Sequence, residues 1–199
     1  MSYSEFTIET IEEQFALEIV EDCDLFLDSM PVEVPALLTQ VLERFVPLAI
    51  TINTEKARSE LIIAPILAEF KLGFKEKLSL FSGIDFTVDQ GSGLSGRCDY
   101  ILSRSKGQLA LGAPVLMIVE AENENIIGGI PQCIAEMIAA HLFNRQRRTL
   151  IETVYGIVTT GSLWRFLKLT DNRAYVDRVE YPLKQLDKIM GILTEVGGY

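Results

Sequence analysis

Apolar residues along this chain change their spacing several times, and each change marks an element. Ile8, Ile11, Phe15, Leu17 and Ile19 recur among acids, which predicts an amphipathic helix or a helix turning into a strand. Pro31 and Pro35 punctuate the connection that follows. Leu37, Leu38, Val41, Leu42 and Phe45 keep helical spacing over 36–45, and Pro47 is expected to end or redirect that helix. Asn53 or Thr54 can cap a further helix over 55–71, whose core face is Leu61, Ile62, Ile66, Leu67 and Phe70.

The period then falls to two. Residues 84–88 alternate as a strand, and 95–103 form another with Arg97, Asp99 and Ile101 on one face. Residues 115–119 are a continuous apolar run with β-branched members, which fits a central strand covered on both faces. Pro131 suits the first turn of a helix with Ile134, Met137, Ile138, His141 and Leu142 as its apolar stripe. Strands over 154–160 and 162–169 flank a turn at Gly161. A short strand over 174–179 and a helix over 182–195 complete the order. The expected fold class is α/β: a mixed sheet with helices on its faces. An acidic helical segment, 1–53, packs on a core of 54–199, as one domain overall.

Composition narrows the class. The chain has 199 residues, 48% of them hydrophobic, and a mean hydropathy of +0.23, which suits a globular core rather than disorder. No apolar run approaches the roughly 20 residues a bilayer span needs, and the first residues lack a basic start before an apolar stretch. A cytoplasmic location without membrane contact is the expectation. Three widely spaced cysteines, Cys23, Cys98 and Cys133, argue against a disulfide framework or a cysteine zinc site. Net charge is −10, but eleven acids and no Lys or Arg fall within residues 1–43. The remainder holds 17 acids and 18 bases, so it is balanced, and charge alone neither supports nor excludes nucleic acid.

The candidate chemistry lies where the buried strand ends. Glu120, Glu122 and Glu124 follow the apolar run, and strand alternation puts Glu120 and Glu122 on one face. With Asp99 on a neighbouring strand, hard oxygen ligands gather at the end of a buried sheet. Like charges there repel unless a cation or a proton sits between them. The single histidine, His141, lies in an apolar stripe and reads as a hydrogen-bonded core residue rather than a catalyst. Arg145, Arg147 and Arg148 read as a cationic helix C-terminus. Trp164 and Phe166 read as core.

The order of these pieces resembles the PD-(D/E)XK nuclease superfamily, the restriction endonuclease-like fold, over residues 54 to about 170. The matching pieces are Glu60 in a helix, Gly96-Arg97-Cys98-Asp99-Tyr100 for the Asp strand, Val119-Glu120-Ala121-Glu122 for the Glu-x-Lys strand, and Gln132 in the next helix. The segment Thr160-Gly161-Ser162-Leu163-Trp164-Arg165-Phe166 resembles the strand pair that follows in many bacterial members. The resemblance implies hydrolysis of DNA phosphodiesters by metal-activated water. Magnesium or manganese would be held by Asp99, Glu120, the Ala121 carbonyl and Glu60, with Gln132 positioning.

The sequence departs from the family at Glu122, where a Lys is usual. By resemblance to restriction enzymes with Glu at this place, Glu122 takes a water-orienting or metal role. Alternatively Arg97 or Lys56 supplies the cation. In a third reading the fold is a catalytically inactive module acting through a protein partner. By resemblance to duplex-cutting members that pair their sites, a homodimer is a further expectation.

Overall fold

The computed structural model of the chain describes residues 2–74, 77–149 and 151–198. Seven strands form one mixed sheet: β1 (Glu18–Cys23), β2 (Ser79–Asp85), β3 (Arg97–Ser103), β4 (Val115–Ala121), β5 (Thr153–Thr159), β6 (Leu163–Thr170) and β7 (Arg173–Pro182). Their spatial order is β1-β7-β6-β5-β4-β3-β2. The β4/β5 and β1/β7 pairs are parallel and the others antiparallel. The helices are α1 (Ile8–Phe15), α2 (Ala36–Ile52), α3 (Glu55–Arg58), α4 (Ala64–Gly73), α5 (Ile126–Gln146) and α6 (Leu186–Gly198).

Two cores lie on the two faces of the sheet. One packs Leu38 and Leu42 of α2, Ile66 and Phe70 of α4 and Ile192 of α6 against Tyr100, Val119, Ala121 and Trp164. The other packs Tyr3, Ile11 and the inner face of α5 against Ile101, Ile118, Val158 and Leu167. β4 is buried along its whole length, as its unbroken apolar run requires.

The acidic first segment is not wholly helical. After α1, Ala16 turns left-handed at φ 49° and the chain becomes the edge strand β1. Arg173 pairs with Glu18 at 2.7 Å, and Arg178 pairs with Asp22 at 2.9 Å and Asp24 at 2.7 Å. Part of the segment's acidity is thus matched by β7.

Three expected boundaries move, each for a local reason. Helix α2 runs through Pro47 to Ile52. The proline removes the bond to the Glu43 carbonyl, but both residues are exposed, so water can take that acceptor. Asn53 then ends α2 in the left-handed region at φ 52°, and Thr54 caps the next helix by accepting from Ala57 N at 3.2 Å. That helix is continuous in path from α3 to α4 but widens to a π turn over Ser59–Ile63, directly before Pro65. A proline cannot donate to the preceding turn, and the wider turn stands where that bond is missing.

The strand expected over 84–88 is centred earlier, at β2. Beyond Asp85 the hairpin continues as separate bonds, with Phe86 N donating to Gly96 O at 2.8 Å and Val88 N to Leu94 O at 3.0 Å. Helix α5 begins at Ile126, five residues before Pro131, with Asn125 accepting from Gly128 N at 3.0 Å. α5 is long and apolar enough to cross a membrane, yet 56% of its most apolar window is buried inside the fold, so it is a core helix here.

Candidate acidic site at the end of the central strands

The site forms where β3, β4 and β5 meet the start of α5. Tyr100 of β3 pairs with Val119 of β4, so Asp99 and Glu120 stand at the next level of the same ladder. Glu120 pairs in turn with Val158 of β5. Strand β3 breaks its alternation here: Cys98 and Ile101 both enter the α5-side core, whereas Tyr100 and Leu102 face the other. Opposite Asp99 lies Gly83, between the Ser82–Tyr100 and Ile84–Cys98 pairs, with φ at +60°. This left-handed residue on the partner strand fits the local irregularity.

Asp99 is half-buried. Its Oδ2 accepts the backbone N–H of Ala121 at 2.9 Å, tying the ends of β3 and β4 together. Burial pushes its carboxyl up, opposed by that hydrogen bond and by the Arg97 charge. Arg97 itself is anchored by Nε donating to Gly83 O at 2.6 Å.

Glu120 is 3% exposed and Glu136, reaching down from α5, is 0% exposed. Gln132 links them: its Nε2 donates to Glu120 Oε2 at 2.6 Å and lies 3.3 Å from Glu136 Oε1. Burial, then the neighbouring Glu136 carboxyl, push Glu120 well above the ordinary carboxylate range. Burial pushes Glu136 up to about 7, held back by hydrogen bonds with Glu120, Cys98 and Gln132. One buried oxygen on each, Glu120 Oε1 and Glu136 Oε2, receives no bond from a nitrogen or hydroxyl donor. Two buried carboxyls within hydrogen-bonding reach cannot both be ionised cheaply, so the pair holds a proton near neutrality.

Glu122 lies one step beyond the strand, its N–H donating to Thr159 O at 2.8 Å. Its side chain rests against Gly129 of α5. A Cβ added at Gly129 would stand 2.6 Å from Glu122 Oε1 and 2.9 Å from Val158 Cγ1. Gly128-Gly129-Ile130-Pro131 lies within α5, with Gly129 serving close approach to the sheet. Burial raises the Glu122 carboxyl, and the charges of Glu55 and Asp99 raise it further.

The sequence-based candidates thus separate into groups. Asp99, Glu120, Ala121 and Gln132 are brought together through direct hydrogen bonds, and Glu122 lies within electrostatic reach of Asp99. Glu60 extends to solvent with its side chain 63% exposed, 3.8 Å from Lys56, whose side chain is 82% exposed. The helical acid that bears on Asp99 and Glu122 is Glu55, in the first turn of α3. Glu55 follows a capping threonine and reads in sequence as an ordinary helix-start acid. Glu136 had a clearer signal, an acid inside the apolar run Ile134-Ala135-Glu136-Met137, one helical turn after Gln132.

A second polar network braces this end of the sheet. Arg58, 9% exposed, donates to Thr160 O at 3.0 Å, Ser162 Oγ at 3.1 Å and Asn53 Oδ1 at 2.9 Å. Asn53 Nδ2 donates to Glu124 Oε1 at 3.1 Å. The connection between α2 and α3 is thereby fixed to the β5–β6 turn, which helps set the position of Glu55.

Among the described residues, no group of three or more His, Cys, Asp or Glu side chains is arranged to hold a metal ion. The oxygen donors Asp99 and Glu120 nevertheless suit magnesium or manganese in type. Magnesium commonly takes one or two carboxylates and keeps several waters. Glu120 Oε1 accepts no bond from a nitrogen or hydroxyl donor and so keeps a lone pair for such an ion. No protein-family model matches the chain, and no curated protein matches it in sequence.

Proposed function

We propose that the chain is a divalent-metal-dependent, nuclease-like protein that hydrolyses DNA phosphodiesters on a restriction endonuclease-like fold. One observation carries the reading. Asp99 and Glu120 stand at one level on adjacent strands, and Gln132 of the following helix is hydrogen-bonded to Glu120. The chain order supports it too: a helix, the antiparallel strands β2, β3 and β4, the covering helix α5, then β5 parallel to β4.

Asp99 and Glu120, with the Ala121 carbonyl, would hold the magnesium or manganese. Such an ion supplies a polarised phosphoryl oxygen and a more acidic bound water. The protein's own groups do the rest. The Ala121 N–H and the Arg97 charge favour an ionised Asp99. Gln132 fixes the orientation of the Glu120 carboxyl and leaves Glu120 Oε1 free. Glu136 accepts the proton that Glu120 gives up on ionising. Glu122, in place of the usual Lys, is a half-buried carboxyl that can accept a hydrogen bond from an attacking water and orient it.

A second reading rests on a different observation. Glu55, Asp99 and Glu122 place their charges on one another, and Arg97 is the cation that bears on Asp99. Phosphate approach to this rim is opposed until a cation arrives, which favours a catalytically inactive module acting through a protein partner.

The deciding experiment is calorimetric titration of magnesium and manganese into the parent, Asp99→Ala and Glu120→Gln, followed by a plasmid-nicking assay that includes Glu122→Lys. Metal binding and nicking in the parent, both lost with Asp99→Ala, support the nuclease. Absence of nicking in the parent and in Glu122→Lys with either metal replaces it with the second reading.

A further inference from the structure

A cleft lies at the opposite end of the sheet, where the last turns of α5 meet the β6–β7 turn. His141 follows Gln132 by nine residues, about 13 Å along the helix. One lobe, of about 220 Å³, is walled by Phe15, Leu17, Leu94, Ile138, Leu142 and Leu169. A second, shallower lobe of about 580 Å³ shares His141, Arg145, Asp171 and Asn172 with it. The cleft therefore has an apolar wall and a polar mouth, the usual build of a small-molecule site.

Several charged groups at the mouth are already satisfied. Asp89, from the β2–β3 connection, accepts from Gly91 N at 3.0 Å, Ser92 N at 3.3 Å and Ser92 Oγ at 2.7 Å. Glu18 and Arg173, at the starts of β1 and β7, pair with each other at 2.7 Å. Among the described residues, the Arg145 guanidinium has no ion pair and the half-buried His141 imidazole has no hydrogen bond. These two lie at i and i+4 on α5, one helical turn apart, and both line the two lobes. The expectation of a hydrogen-bonded core histidine is not met.

We propose that this cleft binds a small organic anion: a carboxylate or phosphate head at Arg145 and His141, carried on one apolar ring that rests against the half-buried Phe15, Ile138 and Leu142. The guanidinium offers a planar pair of donors suited to either head. The imidazole offers a further donor. The ring replaces water on the part of the apolar wall that stays half-exposed, at Phe15, Ile138 and Leu142. Asp171, from the β6–β7 turn, bears on His141 from the other side and favours its charged form, whereas burial and Arg145 oppose it. An anion at Arg145 offsets that opposition.

His141 is the only histidine in the chain, so its imidazole carbon-bound protons give a single reporter by NMR. The full chain is titrated with phenyl phosphate, benzoate, inorganic phosphate and benzyl alcohol, as the parent and as Arg145→Gln. The proposal expects a saturable displacement of the His141 signal by phenyl phosphate or benzoate, with the imidazole titrating at higher pH when bound. Arg145→Gln weakens that binding about tenfold or more, while magnesium and manganese binding to Asp99 and Glu120 is unchanged. Saturation by phenyl phosphate alone selects the phosphate head, and by benzoate alone the carboxylate. Failure of both to saturate by about 20 mM overturns the proposal, since weaker binding is below the range of a specific site. So does equal affinity in Arg145→Gln, or equal binding of benzyl alcohol.

Discussion

Gln132 and Glu120 are joined by a 2.6 Å hydrogen bond that crosses from α5 to the end of β4. The same amide nitrogen lies 3.3 Å from Glu136, so one neutral side chain serves two buried carboxyls. No cation is built into the interior of this cluster, and the proton takes that place. Stability and metal binding are therefore expected to depend on the same groups.

The pH dependence has a definite sign. Glu136 is raised from 4.5 to about 7 in the folded state. Between those values the folded chain binds more protons than the unfolded chain, so stability falls as pH rises and levels off above the folded value. The expected loss from this group is on the order of 3 kcal/mol. Urea unfolding at about pH 5 and about pH 8 measures it. Glu136→Gln, which keeps the shape and cannot ionise, should show a flatter profile than the parent.

Asn144 is 2% exposed and clasps the start of β4: its Oδ1 accepts Val115 N at 2.7 Å and its Nδ2 donates to Val115 O at 2.8 Å. Asn144→Leu leaves both backbone groups buried without partners. A loss of about 2–4 kcal/mol is expected by urea denaturation, with a smaller loss for Asn144→Asp at low pH, where the protonated carboxyl keeps one acceptor and one donor.

Gly129→Ala places a methyl group against Glu122 and Val158. The side chain of Glu122 can swing away, but the Val158 contact at 2.9 Å must be relieved by moving α5 off the sheet. Destabilisation of about 1–3 kcal/mol is expected. If the Glu120–Gln132 contact loosens with it, the proposed magnesium or manganese binding should weaken as well, which calorimetry checks.

Arg58→Met keeps most of the buried stem but removes the bonds to Thr160, Ser162 and Asn53. A cost of about 2–4 kcal/mol is expected, because a buried carbonyl and amide oxygen lose a charged donor. Hydrogen exchange should accelerate first at the α2–α3 connection and the β5–β6 turn.

Much of this architecture is legible in the sequence because burial writes directly into residue type. The run Val115-Leu116-Met117-Ile118-Val119 fits a strand covered on both faces, and β4 is that strand. The alternation around Gly161 gave β5 and β6 with nearly their observed limits. What sequence hides is cost that solvent or a neighbour absorbs. Pro47 does not stop α2, because its orphaned acceptor is exposed. Pro131 does not mark the first turn of α5, which starts at Ile126 and brings Gly129 against the sheet. At the site, Asp99, Glu120 and Gln132 were legible from their order. Glu136 left a trace as an acid inside an apolar run, but Glu55 did not, since its approach to Asp99 and Glu122 depends on where α3 is set down in three dimensions.

The pairing of β1 with β7 has a consequence during synthesis. More than 140 residues separate the two strands along the chain, with Glu18 opposite Arg173. A ribosome extends through β2–β6 before β7, the strand paired with β1 among the described residues, emerges. Until then the acidic leading segment lacks the arginines of β7 and its own charges repel one another. Closing the sheet on this edge therefore carries the entropy cost of a long loop, and the ion pairs of Arg173 and Arg178 form only with that closure.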